Sequence, residues 1–295
     1  DDVVSEGFNT VTYTGTGAAQ SISGIGFDPD FVWIKSRSNA DPHELIDTVR
    51  GSTKRLRSNA TNAESNASSG DGFASFDADG FTLNSDGGGG QVNGDGRTYV
   101  GWCWEAGGAP TADNSASAGA TPTAGSVKID GSNLGSALGG SIAATRLSAN
   151  TSKGFSVVTY TGTGSAATVA HGLGATPKWM LFKNRDVADQ WAVYHQAIGS
   201  THNLCLNNTD AKADQDNRFN DTDPTSSVFT VGTGHVVNAN NEKYVAYCWT
   251  DITSYSKFGT YEGNASTTGP SVTLGFEPAL VIIKGIDADS RGWYL

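Results

Sequence analysis

Along this chain apolar and polar residues alternate with a period of two. From Phe8 the order is Phe-x-x-Val-x-Tyr-x-Gly, one apolar face and one polar, as a half-buried strand requires. Gly15-Thr16-Gly17 supplies a turn, Ser21-Ile22-Ser23 a short second strand, and Gly24 to Pro29 turns the chain again. Phe31-Val32-Trp33-Ile34 breaks the alternation. Four apolar residues after a proline are too few for a helix and predict a strand covered on both faces. Further strands are expected within His43–Gly51, Phe73–Phe76, Gly80–Leu83 and Thr98–Trp104. Between them Ser52 to Gly72 is mostly polar loop with room for a short strand around Leu56, Asp77 to Gly80 is a turn, and Gly87–Gly90 is a flexible tip.

The pattern then recurs. Gly7-Phe8-Asn9-Thr10-Val11-Thr12-Tyr13-Thr14-Gly15 returns as Gly154-Phe155-Ser156-Val157-Val158-Thr159-Tyr160-Thr161-Gly162, and again in shorter form as Phe258-Gly259-Thr260-Tyr261-Glu262-Gly263. Pro29, Pro177 and Pro278 each open an apolar run that closes on Lys35, Lys183 or Lys284, six residues later. Thr98–Trp104 has its counterpart in Lys243–Trp249, which places Cys103 and Cys248 at equivalent points. The expected fold is all-β: tandem antiparallel β-sandwich domains, jelly-roll-like, over residues 1–106 and 153–252. Residues 253–295 form the start of a third, truncated copy, expected to belong to a protein that continues. The alternative is that they complete a sheet of the second domain or of a neighbouring subunit. Residues 107–152 begin as a Gly/Ala/Ser/Thr-rich linker. The weak apolar spacing of Val127, Ile129, Leu134, Leu138, Ile142 and Leu147 then predicts a segment that wraps a domain surface. Asp210 to Pro224 reads as an acidic surface loop.

Composition narrows the partners. Glycine makes up 38 of 295 residues, nearly twice the usual ~7%, and without a three-residue period this means turns, not collagen. A formal net charge of -11 argues against nucleic acid, which is held by clustered Lys and Arg. No apolar run approaches the roughly 18 residues of a membrane span, so membrane insertion is not expected. Three cysteines make no disulfide framework, and Cys103 and Cys248 read as small buried hydrophobes.

The combination of Val11-Thr12-Tyr13-Thr14-Gly15, Gly26 to Lys35, Asp47-Thr48-Val49-Arg50-Gly51 and Tyr99 to Trp104 resembles a family of uncharacterised repeat domains from bacteriophages, particularly marine ones. His171-Gly172-Leu173-Gly174, Tyr244 to Trp249 and Tyr255 to Tyr261 carry the same resemblance. It implies a virion surface setting, tail-fibre-like, and brings no catalytic residues with it. The expected function is a non-enzymatic virion structural protein acting in host recognition. Its expected partners are other virion proteins, a host cell-surface glycan or protein, and copies of itself, and its location is the extracellular virion surface. A capsid decoration or cement protein is the alternative, and a virion-borne glycan-degrading enzyme a second.

Candidate chemistry is sparse. Asp77-Ala78-Asp79-Gly80 lacks the further ligands of a calcium loop and reads as a turn. Asp214, Asp216, Asp221 and Asp223 could hold calcium between loops but read better as a solvated acidic loop. The five histidines show no zinc spacing, and no nucleophile motif accompanies a serine or cysteine. No cofactor, metal or catalytic residue is therefore assigned. Arg50, Lys54, Arg55 and Arg57 form a basic cluster, either a solvated loop or a dock for an acidic partner or glycan. Trp191, Tyr194 and His195 beside a polar loop are the ligand-binding candidates, because sugars stack on such rings, with core packing as the competing reading.

Overall fold

The computed structural model describes residues 7–66, 72–86 and 90–295. The lead-in through Glu6 and Gly87 to Gly89 of the expected glycine tip lie outside them. The first repeat contains β1 (Phe8–Thr14), β2 (Gln20–Ser23), β3 (Phe31–Ser36), β4 (Glu44–Asp47), β5 (Lys54–Arg55), β6 (Ser65–Asn66), β7 (Phe73–Asp77), β8 (Gly80–Leu83) and β9 (Thr98–Trp104). Its main sheet runs β1-β9-β3-β4, and a smaller sheet, β2-β8-β7, lies over one face as a lid. After the linker come β10 (Val127–Ile129), β11 (Ser132–Asn133) and β12 (Arg146–Asn150).

The second repeat follows with β13 (Phe155–Thr161), β14 (Ala167–Ala170), β15 (Trp179–Asn184), β16 (Ala192–His195), β17 (His202–Cys205), β18 (Ala213–Asp214), β19 (Val228–Val231) and β20 (Lys243–Trp249). Two single-turn helices, α1 (Asp216–Phe219) and α2 (His235–Asn238), flank β19. Its main sheet reads β11-β10-β12-β13-β20-β15-β16-β17-β18, with β14-β19 as the lid. Strand pairing is antiparallel throughout the described residues except between β10 and β12. The third copy holds only the short pair β21 (Ile283–Lys284) and β22 (Trp293–Tyr294).

Register shows that the repeats are the same object. Phe31 to Ile34 pair with Asp47 to Glu44 on one edge and Trp104 to Gly101 on the other. Trp179 to Phe182 pair with His195 to Ala192 and with Trp249 to Ala246. The recurrent lysine closes the hairpin in every copy. Lys35 Nζ donates to the Ser36 carbonyl (2.6 Å), Lys183 Nζ to that of Asn184 (2.8 Å) and Lys284 Nζ to that of Gly285 (2.7 Å). Burial lowers the pKa of all three, to about 8 for Lys183.

The double burial of the apolar runs has a source the sequence did not suggest. Val32 and Ile34 face the lid of their own repeat, and Met180 and Phe182 do likewise. Phe31 and Trp33, with Trp179 and Leu181, enter one core formed between the two main sheets. The molecule is therefore a stack of lid, sheet, sheet and lid, and not two sandwiches on a string. Ring centroids of Phe31 and Tyr247 are 4.7 Å apart, those of Phe31 and Phe155 5.7 Å, and those of Trp104 and Trp249 6.0 Å.

A buried ionic network crosses the same boundary. Arg50 Nε lies 2.5 Å from Asp47 Oδ2, with both side chains fully buried, and Arg50 also meets Glu64. Glu64 takes two hydrogen bonds from Arg185 of the second repeat, 2.8 and 2.9 Å, and Tyr247 Oη donates to Asp47 Oδ2 at 2.8 Å.

The linker is held, not free. Asp30 accepts from the amides of Ala106 (2.8 Å) and Gly108 (2.9 Å), and Ser148 Oγ accepts from that of Gly107 (2.8 Å). The weakly apolar segment beyond it adds β10 to β12 to the second sheet and buries Leu138, Ile142 and Leu147 in that repeat's core. The expected acidic loop at 210–224 is also partly inside. Phe219 of α1 packs between Phe182 and Tyr194, because a lone large apolar side chain there gains more from burial than the turn gains from solvation.

Because the repeats share this core, they should unfold together. Phe31→Ala should cost about 3–5 kcal/mol and lower the melting of both repeats equally in calorimetry. Two separable transitions, with only one moved by the substitution, would show that the repeats are independent.

Candidate ligand site in the first repeat

The three ring-bearing candidates do not form a binding platform. Successive residues of a strand point to opposite faces, and Trp191 and Tyr194 are drawn into different cores. Trp191 is fully buried between the repeats, where its Nε1 donates to the Arg57 carbonyl (2.9 Å). Tyr194 is buried under the lid, its ring edge-on to Phe219 and its hydroxyl donating to Asp223 at 3.4 Å. His195 is half-buried and accepts the Ala197 amide at Nδ1 (3.2 Å). Core packing, the competing reading, is where Trp191 and Tyr194 lie.

Nor is the basic cluster a solvated patch. Arg50 is consumed by the inter-repeat network. Its own burial lowers its pKa, but the neighbouring Asp47, Tyr247 and Glu64 raise it further, so it stays charged. Burial likewise pushes Glu64 upward, and the hydrogen bonds and charges of Arg185 and Arg50 more than offset it. Lys54 donates to Asn66 Oδ1 (2.6 Å), while Arg55 and Arg57 converge on Gln91 Oε1 at 3.4 and 2.9 Å. Arg57 Nε also lies 3.1 Å from Glu44 Oε1.

Comparing the copies shows what these groups surround. Register equates Glu44 with Ala192 and Ile46 with Tyr194. Val92 and Val237 are equivalent, since their carbonyls accept from Tyr13 and Tyr160 (2.7 Å each), which equates Gln91 with Val236. In the second repeat this space is apolar and plugged by Phe219. In the first it is a cavity of about 60 Å³, lined among others by Glu44, Ile46, Arg55, Phe73, Gln91 and Val92. That volume holds a few water molecules or a small anion, and is too small for a sugar ring. The buried Glu44 carboxylate and the Arg55 guanidinium on its lining can bind and orient a polar group. Gln91 carried no motif, and only the comparison of copies singles it out.

The carboxylates of the Asp77–Asp79 turn are occupied by the fold. Asp79 Oδ1 and Oδ2 accept the amides of Gly26 (2.6 Å) and Gly24 (3.0 Å), and these hydrogen bonds lower its pKa. Asp77 takes hydrogen bonds from Ser75 and Thr82. Among the described residues no three His, Cys, Asp or Glu groups are placed to hold a metal ion. Cys103, Cys205 and Cys248 are unpaired and buried, and burial raises their thiol pKa values, to about 12 for Cys248.

A family model described as a domain of unknown function, DUF7483, matches residues 4–127 and again 128–295. The chain belongs to the DUF7483 family. The second match starts at β10, so the wrapping segment falls with the DUF7483 unit whose sheet it extends. No curated protein and no solved structure matches this chain.

Two histidines should make this DUF7483 protein acid-sensitive. His43 Nδ1 accepts from Trp33 Nε1 (2.8 Å), and His171 Nδ1 accepts from the Leu173 amide (3.2 Å) while its Nε2 faces the Thr225 carbonyl. Both must be neutral to accept, and burial lowers both pKa values to about 4 from 6.5. The unfolded chain therefore binds more protons between pH 6.5 and 4, and stability falls as pH falls through that window. Denaturant titrations at pH 7, 5.5 and 4.5 should show the loss, with a shallower slope in the His43→Gln, His171→Gln double variant. An unchanged slope would assign the acid loss to other groups.

Proposed function

We infer that this chain is a non-enzymatic structural component of a bacteriophage virion surface, of tail-fibre type, acting in host recognition. Its setting is the extracellular face of the particle, among other virion proteins and further copies of itself, with a host glycan or protein as ligand. The observation that supports it best is the aromatic core between the repeats. It commits the repeated residues of both copies to rigidity. It leaves for contact the exposed side chains of the segments that differ, among them Asn62, Asn66, Asp214 and Asp221, while Glu64 and Phe219 of the same segments are engaged inside. The sequence resemblance supplies the virion setting. Fold alone does not supply a function.

A second reading, a capsid decoration or cement protein, is favoured by the apolar side chains exposed on the third copy, Val281, Ile283 and Tyr294, which suit subunit contacts. Immuno-electron microscopy of intact particles separates the two. Label on tail fibres, with saturable, sugar-competed binding of the recombinant chain to host cells, is the expected result. Label confined to the shell transfers the assignment to decoration, and absence from purified particles removes both. Loss of host polysaccharide on incubation would overturn the non-enzymatic reading.

A further inference from the structure

The second repeat buries a positive charge that its own carboxylates do not balance. Arg218 of α1 is 9% exposed, and its Nε has no hydrogen-bond partner. Among the described residues it forms no ion pair. The Asp189 carboxylate acts on it electrostatically but is turned to His235 Nδ1 (2.9 Å) and to the Gln190 amide (2.8 Å). A guanidinium does not escape by losing its proton, and a buried cation without a partner is costly.

A second unmet group lies in the same place. Asn203 of β17 is 2% exposed. Its Nδ2 donates to Gln215 Oε1 (2.9 Å), and its Oδ1 has no partner. Cys205 joins the two groups. The side chains of Asn203 and Asn208 lie against its sulfur and the Arg218 charge acts on it, while the thiol donates to Gln190 Oε1 at 3.3 Å. A buried donor and a buried acceptor, both unmet, thus flank one thiol.

The arginine also has room made for it. Gly234 has φ −68°, which any residue adopts, so the backbone does not require a glycine there. A Cβ would fall 2.7 Å from both Arg218 Nη1 and the Asn217 carbonyl. The glycine is there for space, and the guanidinium holds part of that space.

The first repeat shows how the same place is balanced internally. Val193 faces Leu204 as Leu45 faces Leu56, which sets Cys205 opposite Ala192, Arg57 opposite Glu44, and makes Arg55 the counterpart of Asn203. Arg57 Nε lies 3.1 Å from Glu44 Oε1, so that copy carries its own anion. In the second repeat Ala192 replaces the carboxylate, and a guanidinium still arrives, from α1.

We propose that Arg218 and Asn203 form a binding site for a small oxyanion that also carries a hydroxyl, either phosphate or the carboxylate of an acidic sugar. Arg218 Nε donates a charge-assisted hydrogen bond to an anionic oxygen, and Asn203 Oδ1 accepts from the ligand hydroxyl. The less buried Gln190, Asn208 and Asn217 edge the site. A bridging water would satisfy both unmet atoms but leave the charge unbalanced, so an anion fits better. The site does not depend on the virion setting.

The test is isothermal titration calorimetry of the full chain at an ionic strength held constant with chloride, with inorganic phosphate in one arm and glucuronate in the other. Saturable one-to-one binding in at least one arm is expected, and the arm that binds identifies the source of the oxyanion. Arg218→Lys keeps the charge and loses the Nε donor, and should weaken binding at least about tenfold, as loss of a charged hydrogen bond does. Asn203→Asp, close in shape, sets a carboxylate beside Arg218. It should abolish binding and raise the melting temperature, which also shows that the variant is folded. Saturable binding in neither arm, or binding undiminished in both variants, overturns the proposal and leaves water as the partner of Arg218.

Discussion

Phe31 lies against Tyr247 and Phe155 at the centre of the molecule, and nearly every other feature depends on that packing. A β-sheet has two faces, and each main sheet here is apolar on both. One face is satisfied by the lid of its own repeat and the other by the main sheet of the neighbouring repeat. Stacked rings of Phe, Tyr and Trp bury large areas, and their offset and edge-on arrangements add to that gain. Without the partner repeat, either main sheet would expose an apolar surface that a soluble domain does not tolerate. The repeats therefore form one mechanical unit although the chain is written twice.

The ionic network at the rim of that core follows from the same constraint. Asp47, Arg50, Glu64 and Arg185 sit where polar strand ends are covered by the other repeat, so their charges lose water and must be paid in partners. Breaking such a set is far costlier than replacing it whole with apolar residues, because a lone buried charge remains. Its directional hydrogen bonds, including Tyr247 to Asp47, fix how one sheet sits over the other. Apolar packing alone is permissive about such sliding.

Copies that share a framework also reveal where they diverge. At one place the second repeat spends Phe219, Tyr194 and Val236 on a filled core, and the first keeps Glu44, Gln91 and Arg55 around a small cavity. The third copy keeps the hairpin, the lysine clamp and the Tyr-x-Gly turn but has no closing strand among its described residues. Framework residues thus report on folding, and departures from the framework are where binding is to be sought. Composition could not separate these two kinds of residue.

By itself the sequence determined what is local and periodic. Alternation located the strands, the proline-to-lysine spacing aligned the copies, and the equivalence of Cys103 and Cys248 was readable, because strand period and turn chemistry act over a few residues. Tertiary structure alone decided what covers each face. Phe31-Val32-Trp33-Ile34 announces double burial but not whether its second cover is another sheet of the same domain or another repeat. Trp191 beside a polar loop looks available until the first repeat is laid over it. Arg50 looks solvated until Glu64 and Arg185 arrive from distant points of the chain. Contacts between residues far apart in sequence leave no periodic trace in either segment, so the inter-repeat core and the polar cavity appear only once the chain is folded.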